Sequence, residues 1–216
     1  MPLSSVRSYL TVARPVRSEV EVKRSRFVCD LEPVSTEEAA RAVIERVRAG
    51  SRDARHHCTA FVLGPDGALQ RSNDDGEPSG TAGMPMLEVL RGAGVTDVVA
   101  VVTRWFGGVL LGTGGLIRAY GDAVHAALAT ATLARYELSV ILTTTVSHAD
   151  GPRVENALRA RADLAVAGVD YGADGVRIRA AVPPDGQARA NGVLAELTAG
   201  AAEFTLVGEQ WVRMEP

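Results

Sequence analysis

The glycine-rich segment at residues 103 to 120 has the residue types and the spacing that could bind an anion. It lies between an apolar stretch and a helical pattern, where the amides of a turn and of a helix start can converge on negative charge. Arginines in the same segment could add charge-assisted hydrogen bonds. The predicted anion site consists of Arg104, Gly107, Gly108, Gly112, Thr113, Gly114, Gly115 and Arg118.

The glycines also have a purely structural interpretation, because glycine permits a tight connection from strand to helix against a neighbouring backbone. Gly107 and Gly112 have the spacing of a nucleotide-binding P-loop, but Thr113 stands where that loop requires lysine, which disfavours a Walker-type NTPase. Trp105 and Phe106, just before the loop, are either core side chains or a stacking platform for a base or a partner's side chain. The sequence leaves both alternatives open.

A second segment, residues 73 to 86, reads NDDGEPSGTAGMPM and carries three carboxylates. Oxygen ligands of this kind could hold Mg²⁺ or Ca²⁺, although their spacing does not match an EF-hand loop. Alternatively, Asp-Gly and Pro-Ser-Gly form consecutive turns, and a hydroxyl helps to start the following helix. The accessory residues of this segment are Asp74, Asp75, Glu77, Ser79 and Thr81.

The run DARHHC at residues 53 to 58 contains residue types that bind zinc. In an extended chain His56 and Cys58 face one side and His57 the other, so the three do not converge on one ion. Adjacent residues also lack the side-chain geometry of a Cys58 nucleophile with its base. We expect no metal, no cofactor and no catalytic residue, with His56, His57 and Trp105 completing an accessory surface.

The composition of the chain indicates a globular protein without a general attraction for nucleic acid. Of 216 residues, 46% are hydrophobic and 23% charged, and the net charge of −3 leaves only a local basic patch for RNA. We find no DNA-binding motif, and two cysteines are too few for a disulfide framework. Arginines interrupt any signal-peptide core, and no apolar run is long enough for a membrane span. We expect a cytoplasmic protein.

Hydrophobic periodicity predicts alternating strands and helices in residues 1 to 137, which we interpret as the first domain. A capped helix begins after Ser35 or Thr36, and the turn Pro65-Asp66-Gly67 joins a hairpin. The predicted strands are Glu19 to Leu31, Cys58 to Leu63, Ala68 to Ser72 and a central one at Asp97 to Trp105. The predicted helices run to Gly50, from Met84 to Leu90, and from the glycine loop to about Ala131.

The remaining residues, 138 to 216, predict a second domain with the order β-α-β-β-α-β, which is that of a ferredoxin-like sandwich. Charge divides along the same boundary, with 16 basic and 16 acidic residues before it and 7 and 10 after it. The second domain therefore lacks an overall basic character, and it contains none of the unusual motifs. These observations assign the candidate site to the first domain.

Four stretches together resemble the IMPACT/YigZ family, in its bacterial form. The two most specific are DGEPSGTAG, within residues 73 to 90, and RWFGG with LGTGGLIRAY, within residues 103 to 124; the others are SRFVCDLEPV, residues 25 to 34, and DARHHCTAFVLG, residues 53 to 64. The resemblance covers most of residues 20 to 135. One departure is Trp105, where the family usually has tyrosine, so an aromatic face is kept but a hydroxyl is lost.

The resemblance implies an α+β fold, with a first domain similar to domain 2 of ribosomal protein S5. It implies a second domain that resembles the last domain of the ribosomal translocase. For eukaryotic relatives it also implies a regulatory role in translation initiation during amino-acid starvation, exerted through a protein that activates a kinase. That pathway is eukaryotic, so the complete regulatory role of the eukaryotic relatives is not carried over to this chain.

The leading hypothesis is a non-enzymatic protein that acts in translation or stress response by binding the ribosome, RNA or a regulatory protein. The alternative is a Mg²⁺-dependent enzyme acting on a phosphorylated small molecule or nucleotide. In that case Asp74, Asp75 and Glu77 would hold the ion, and His56 or His57 would carry a proton. A scaffold that fits a protein partner by shape alone is a third possibility.

Overall fold

The computed structural model describes residues 6–214. They divide into two compact units, whose main segments are Ser8–Tyr136 and Glu137–Arg213. Each unit combines helices with an antiparallel sheet, which confirms the predicted α+β class. No helix among the described residues is long and apolar enough to span a membrane.

The first unit is built on a five-stranded sheet of order β2-β3-β6-β4-β5, in which all neighbours are antiparallel. The apolar strand β6 is central, as its composition predicted. The elements are β1 (Ser8–Val12), β2 (Val16–Val22), β3 (Ser25–Pro33), α1 (Glu37–Gly50), β4 (His56–Leu63), β5 (Leu69–Asn73), α2 (Gly83–Gly92), β6 (Val98–Trp105) and α3 (Thr113–Thr130), followed by β7 (Leu133–Val146), in which the boundary falls.

Both faces of this sheet are covered, because side chains of one strand alternate between the two faces. On β4, Cys58, Ala60 and Val62 belong to the core formed with α2 and α3. Phe61 and Leu63 point the other way, into a smaller core formed with α1. The first unit is therefore a three-layer arrangement with the sheet in the middle.

The predicted single strand from Glu19 to Leu31 is wrong, since two paired strands occupy this region. The chain reverses at Lys23 and Arg24, whose φ angles of 47° and 68° are both left-handed. Residues other than glycine or asparagine seldom adopt such angles, so the sequence contains no recognisable hairpin signal here. Strand β1 also has no counterpart among the predicted elements.

The second unit contains the predicted β-α-β-β-α-β order, which is confirmed. Its strand β9 pairs with β7 and β8, and β10 pairs with β7. Large side chains such as Leu142, Leu158, Ile178 and Phe204 form its own core. After β7 the elements are α4 (Gly151–Arg159), β8 (Ala165–Gly172), β9 (Gly175–Val182), α5 (Gln187–Thr198) and β10 (Thr205–Arg213).

Candidate functional site

Asp74 organises the loop between β5 and α2 with its carboxylate. One oxygen accepts the backbone N–H groups of Ala82 and Gly83, at 3.0 and 2.8 Å, and the other accepts that of Gly80 at 2.8 Å. Burial raises the pKa of this carboxyl, but the three hydrogen bonds favour the charged form and lower the pKa overall. Asp74 therefore acts as a loop clamp that meets the first amides of α2.

Asp75 joins the same loop to α1 and β4. One of its carboxylate oxygens accepts a hydrogen bond from Arg48 at 3.0 Å, and the other accepts the backbone N–H of His57 at 2.7 Å. Its φ of 44° is left-handed, so the contacts hold the backbone in an uncommon conformation. The carbonyl of Asp75 accepts from Nδ1 of His56 at 2.9 Å.

Glu77 connects residues 73–86 with residues 103–120, which we call the two signature segments, because it is buried between a strand and a helix. Its Oε1 accepts a hydrogen bond from Arg104 on β6 at 2.6 Å and one from the Tyr120 hydroxyl on α3 at 2.7 Å. The side chains of Glu77 and Arg104 are only 4% and 7% exposed. Burial raises the pKa of Tyr120, and neighbouring Cys58 and Glu77 raise it further, so this phenol remains a neutral donor.

Arg104 therefore has a different partner from the one predicted for it. The sequence assigns Arg104 to an anion site, but the structure pairs it with Glu77, and its second terminal nitrogen lies 3.4 Å from the Ser25 hydroxyl. A cation whose charge is matched in the interior is not free to bind an external anion. Its contribution is to fix the loop and the helix to the sheet.

The histidines and the cysteine of β4 all contact backbone carbonyls. The Nε2 atom of His57 lies 3.2 Å from the Ser51 carbonyl, so both histidine contacts with carbonyls require an N–H at the contacting nitrogen. Cys58 is fully buried, and its thiol donates to the Asp74 carbonyl at 3.0 Å. Burial also raises the Cys58 pKa, which keeps it from acting as a thiolate.

The remaining accessory residues fall into two groups. The indole N–H of Trp105 donates to Asp53 at 2.8 Å, and the Arg26 guanidinium lies 4.1 Å above its ring, so one aromatic face is already occupied. The Thr81 hydroxyl donates to the Pro78 carbonyl within the loop, whereas Ser79 is exposed. Among residues 6–214 no cluster of His, Cys, Asp or Glu has a geometry suited to a metal ion.

Several glycines in the loop from β6 to α3 are required by the backbone. A Cβ at Gly107 would lie 2.0 Å from the Arg24 carbonyl carbon, so the loop packs against the β2–β3 turn only without a side chain. Gly112 has a φ of 72°, where other residues are strained, and it begins α3. Gly108 also has a positive φ, and a Cβ at Gly115 would lie 2.9 Å from that of Leu111.

Gly114 has no such explanation. It lies in the first turn of α3, has no positive φ, and would have open space around a Cβ. The amides of Thr113 and Gly114 have no acceptor within the described part of the chain, whereas those of Gly115 and Leu116 reach the Gly112 carbonyl. Arg118, one turn further along, is exposed and has no carboxylate partner among these residues. The start of α3 thus presents free donors to solvent.

Apolar side chains surround this helix start on the surface. Leu110 is 84% exposed and Phe106 is 51% exposed, and Val109 and Ile117 are also exposed. Sequence reasoning missed Val109, Leu110 and Ile117, although hydrophobic residues inside a glycine-rich loop without strand or helix periodicity were an available signal. We call the exposed residues from Phe106 to Gly114, together with Ile117 and Arg118, the loop surface.

Family models match both units of the chain. The Impact N-terminal domain matches residues 23–128, and a domain of unknown function, DUF1949, matches residues 144–201. Both signature segments lie within the first match. The second match falls within the ferredoxin-like unit.

Individual relatives extend the similarity to nearly the full length. "IMPACT family member YigZ" of Escherichia coli strain K12 is 42% identical over 204 residues, which is 94% of this chain and 99% of that protein. "IMPACT family member YvyE" of Bacillus subtilis strain 168 is 45% identical over 152 residues, or 70% of each chain. A crystal structure of a hypothetical protein matches with a TM-score of 0.66 and 40% identity, covering 93% of this chain and 98% of that one.

Proposed function

The chain belongs to the IMPACT family, and from this premise we propose that it is a non-enzymatic regulatory binding protein linked to translation or stress response. The link to translation comes from what the family resemblance implies. Its partner is the ribosome, RNA or a regulatory protein, and of these a protein surface suits the exposed apolar side chains best. The proposed binding region is the loop surface at the start of α3.

The observation that carries this proposal is the contrast between the buried and the exposed parts of the two signature segments. Asp74, Asp75, Glu77 and Arg104 all bond within the first unit, so the fold accounts for them. The fold does not account for Leu110, which is 84% exposed although it is hydrophobic. Exposed apolar groups beside unsatisfied donors are typical of a protein interaction surface.

The chemistry of the loop surface indicates the character of its partner. Leu110 and Phe106 supply apolar contact area, and hydrophobic anchors carry much of the energy of protein interfaces. The free amides of Thr113 and Gly114 and the Arg118 guanidinium favour negative charge beside those anchors. An apolar segment with an adjacent carboxylate satisfies both requirements.

No observation within the described residues favours the alternative of a Mg²⁺-dependent enzyme. The carboxylates of Asp74, Asp75 and Glu77 accept hydrogen bonds from separate protein donors. Among residues 6–214 these carboxylates form no cluster with a geometry suited to a metal ion.

The test is affinity capture from the native lysate, with and without RNase, using the intact chain as bait. We expect Leu110→Ser and Arg118→Ala each to reduce partner recovery by about tenfold, because each removes an anchor or a charged hydrogen bond. Leu206→Ser is the matched control, since Leu206 is an exposed leucine of the second unit. Equal recovery by all three variants would refute the loop surface as the binding region, and loss of capture after RNase would identify RNA as the partner.

A further inference from the structure

A cavity opens on the α1 face of the sheet, away from the elements that form the loop surface. Helix α1 packs on β4 and β6, whereas β5 is the edge strand of the sheet. Between α1 and β5 the surface of β4 is left partly open, which produces a cavity of about 430 Å³. This volume falls within the range of sites that bind small molecules.

The floor of the cavity consists of three residues that alternate along β4, namely His57, Thr59 and Phe61. Strand register brings Asn73 beside Thr59 and Arg71 beside Phe61. The opposite wall is one face of α1, with residues at successive turns of the helix. The residues contributed by α1 are Glu37, Arg41, Ile44, Glu45 and Arg48.

Three arginines border this cavity, together with two glutamates, and a third carboxylate, that of Asp75, is bonded to Arg48. Arg41 is paired with Glu37 at 2.5 Å, and Arg48 is shared between Glu45 and Asp75. The exposed pair of Arg41 with Glu37 contributes little, so the Arg41 guanidinium can exchange its partner at small cost, whereas Arg48 stays bonded to Asp75.

The cavity has further hydrogen-bond donors besides Arg41 and Arg48. Arg71 is exposed and donates to the Gln70 carbonyl, and its charge also attracts the Glu37 carboxylate, although the two form no ion pair within 4 Å among residues 6–214. The Thr59 hydroxyl is likewise without a hydrogen-bond partner among those residues, although Thr59 is largely buried. Asn73 also lines the cavity, and its side-chain oxygen accepts a hydrogen bond from the Asp75 amide, which leaves its amide N–H groups as donors. These groups can all donate hydrogen bonds, and they line one half-open cavity.

We propose that this cavity binds a small molecule through a phosphate group. Phosphate offers several acceptor oxygens, which match planar guanidinium forks from two sides and a hydroxyl from the floor. Arg41 and Arg71 lie on opposite walls and bind the phosphate in place of the Glu37 carboxylate, with the Thr59 hydroxyl beneath it. An organic group attached to the phosphate lies along Ile44 and the edge of Phe61. This site is independent of the partner proposed for the loop surface.

The test is a titration of the intact chain with phenyl phosphate, inorganic phosphate and phenol, followed by ¹H–¹⁵N NMR. We expect phenyl phosphate to shift the backbone amide signals of Thr59, Arg71 and Ser72 saturably, and phenol to leave them unchanged. Tighter binding of phenyl phosphate than of inorganic phosphate identifies an ester as the ligand, and equal binding identifies free phosphate. Absence of saturable shifts at these amides with either phosphate overturns the proposal.

Variants separate the arginine contacts from general charge effects. Arg41→Ala and Arg71→Ala should each weaken phosphate binding by about tenfold, the loss expected for a charged hydrogen bond. Arg159→Ala is the matched control, because Arg159 forms an exposed i,i+4 pair with Glu155 like that of Arg41 with Glu37. Both cavity arginines are exposed, so these variants should fold. Unchanged affinity in both cavity variants would also overturn the proposal.

Discussion

Glu77 is the residue on which the first unit should depend most strongly. Removing one member of a buried ion pair leaves the other charged and unpaired, at a cost of about 3–5 kcal/mol. Glu77→Ala should therefore lower the free energy of unfolding by about that amount. It also removes the carboxylate that accepts the hydrogen bond of the Tyr120 hydroxyl. Urea denaturation followed by circular dichroism measures the change.

Glu37→Ala provides the comparison, because Glu37 also pairs with an arginine but does so at the surface. Exposed pairs contribute about 0–1 kcal/mol, so this variant should remain close to the parent. Equal decreases in the free energy of unfolding of the two variants would show that burial does not increase the contribution of the Glu77 ion pair.

Asp74 makes the stability of the first unit depend on acid pH. Its pKa in the folded chain is lowered, so its carboxylate contributes stability that is fully present above the unfolded pKa of about 3.9. That contribution is lost as the pH falls through the folded pKa. Asp74→Asn should reduce stability at neutral pH and differ progressively less from the parent below about pH 4. Urea titrations of both proteins across this range would detect the effect, and a constant difference would contradict it.

At the residue scale the sequence identified motifs but not the contacts that their residues make. It identified both signature segments, but it could not show that Arg104 meets Glu77, which lies 27 positions away. A charge partner at that separation depends on how strand, loop and helix pack. The exposure of Leu110 is also invisible in sequence, because its neighbours give no periodicity that defines a buried side.

Gly107, in the loop before α3, and Gly114, in the first turn of α3, should respond oppositely to substitution. Gly107→Ala should destabilise the unit, because the added Cβ would collide with backbone at Arg24 and the loop would have to move. Gly114→Ala should stabilise it by about 0.5–1 kcal/mol, since alanine favours a helix and open space surrounds this position. Thermal and urea unfolding measure both effects, and destabilisation by Gly114→Ala would contradict the second expectation.

Gly114→Ala also tests the loop surface separately from stability. If a partner approaches the helix start closely, the added methyl group should reduce its recovery in affinity capture even though the fold is more stable. A stabilised variant with full recovery would show that the partner does not approach Gly114.

Elements with local signals were predicted well, and those without them were not. Thr36 caps α1 as expected, with its hydroxyl oxygen accepting the Ala39 amide at 3.1 Å. The Pro65-Asp66-Gly67 turn likewise joins β4 to β5. The β2–β3 turn was not predicted, because Lys23 and Arg24 adopt left-handed φ angles at positions where glycine or asparagine would be the usual signal. Seven paired positions hold that hairpin, and strand pairing is not a local property.

At the scale of the whole molecule, each unit has its own core, which suggests that each can fold alone. The second unit buries Leu142, Ile178 and Phe204 among its own elements. A fragment of residues 137–216 should therefore give a folded circular dichroism spectrum and a cooperative thermal transition. Its stability should be modest, because a chain of this size buries a smaller fraction of its surface than a larger domain.

A fragment of residues 147–216 is the matched control, because it lacks β7. That strand pairs with both β9 and β10, so its removal leaves the sheet without the strand that joins them. It also removes Val140 and Leu142 from the core. We expect this shorter fragment to be unfolded, and an unfolded longer fragment would refute 137 as the start of an autonomous domain. A folded longer fragment together with an unfolded shorter one would show that β7 is required for the second unit to fold.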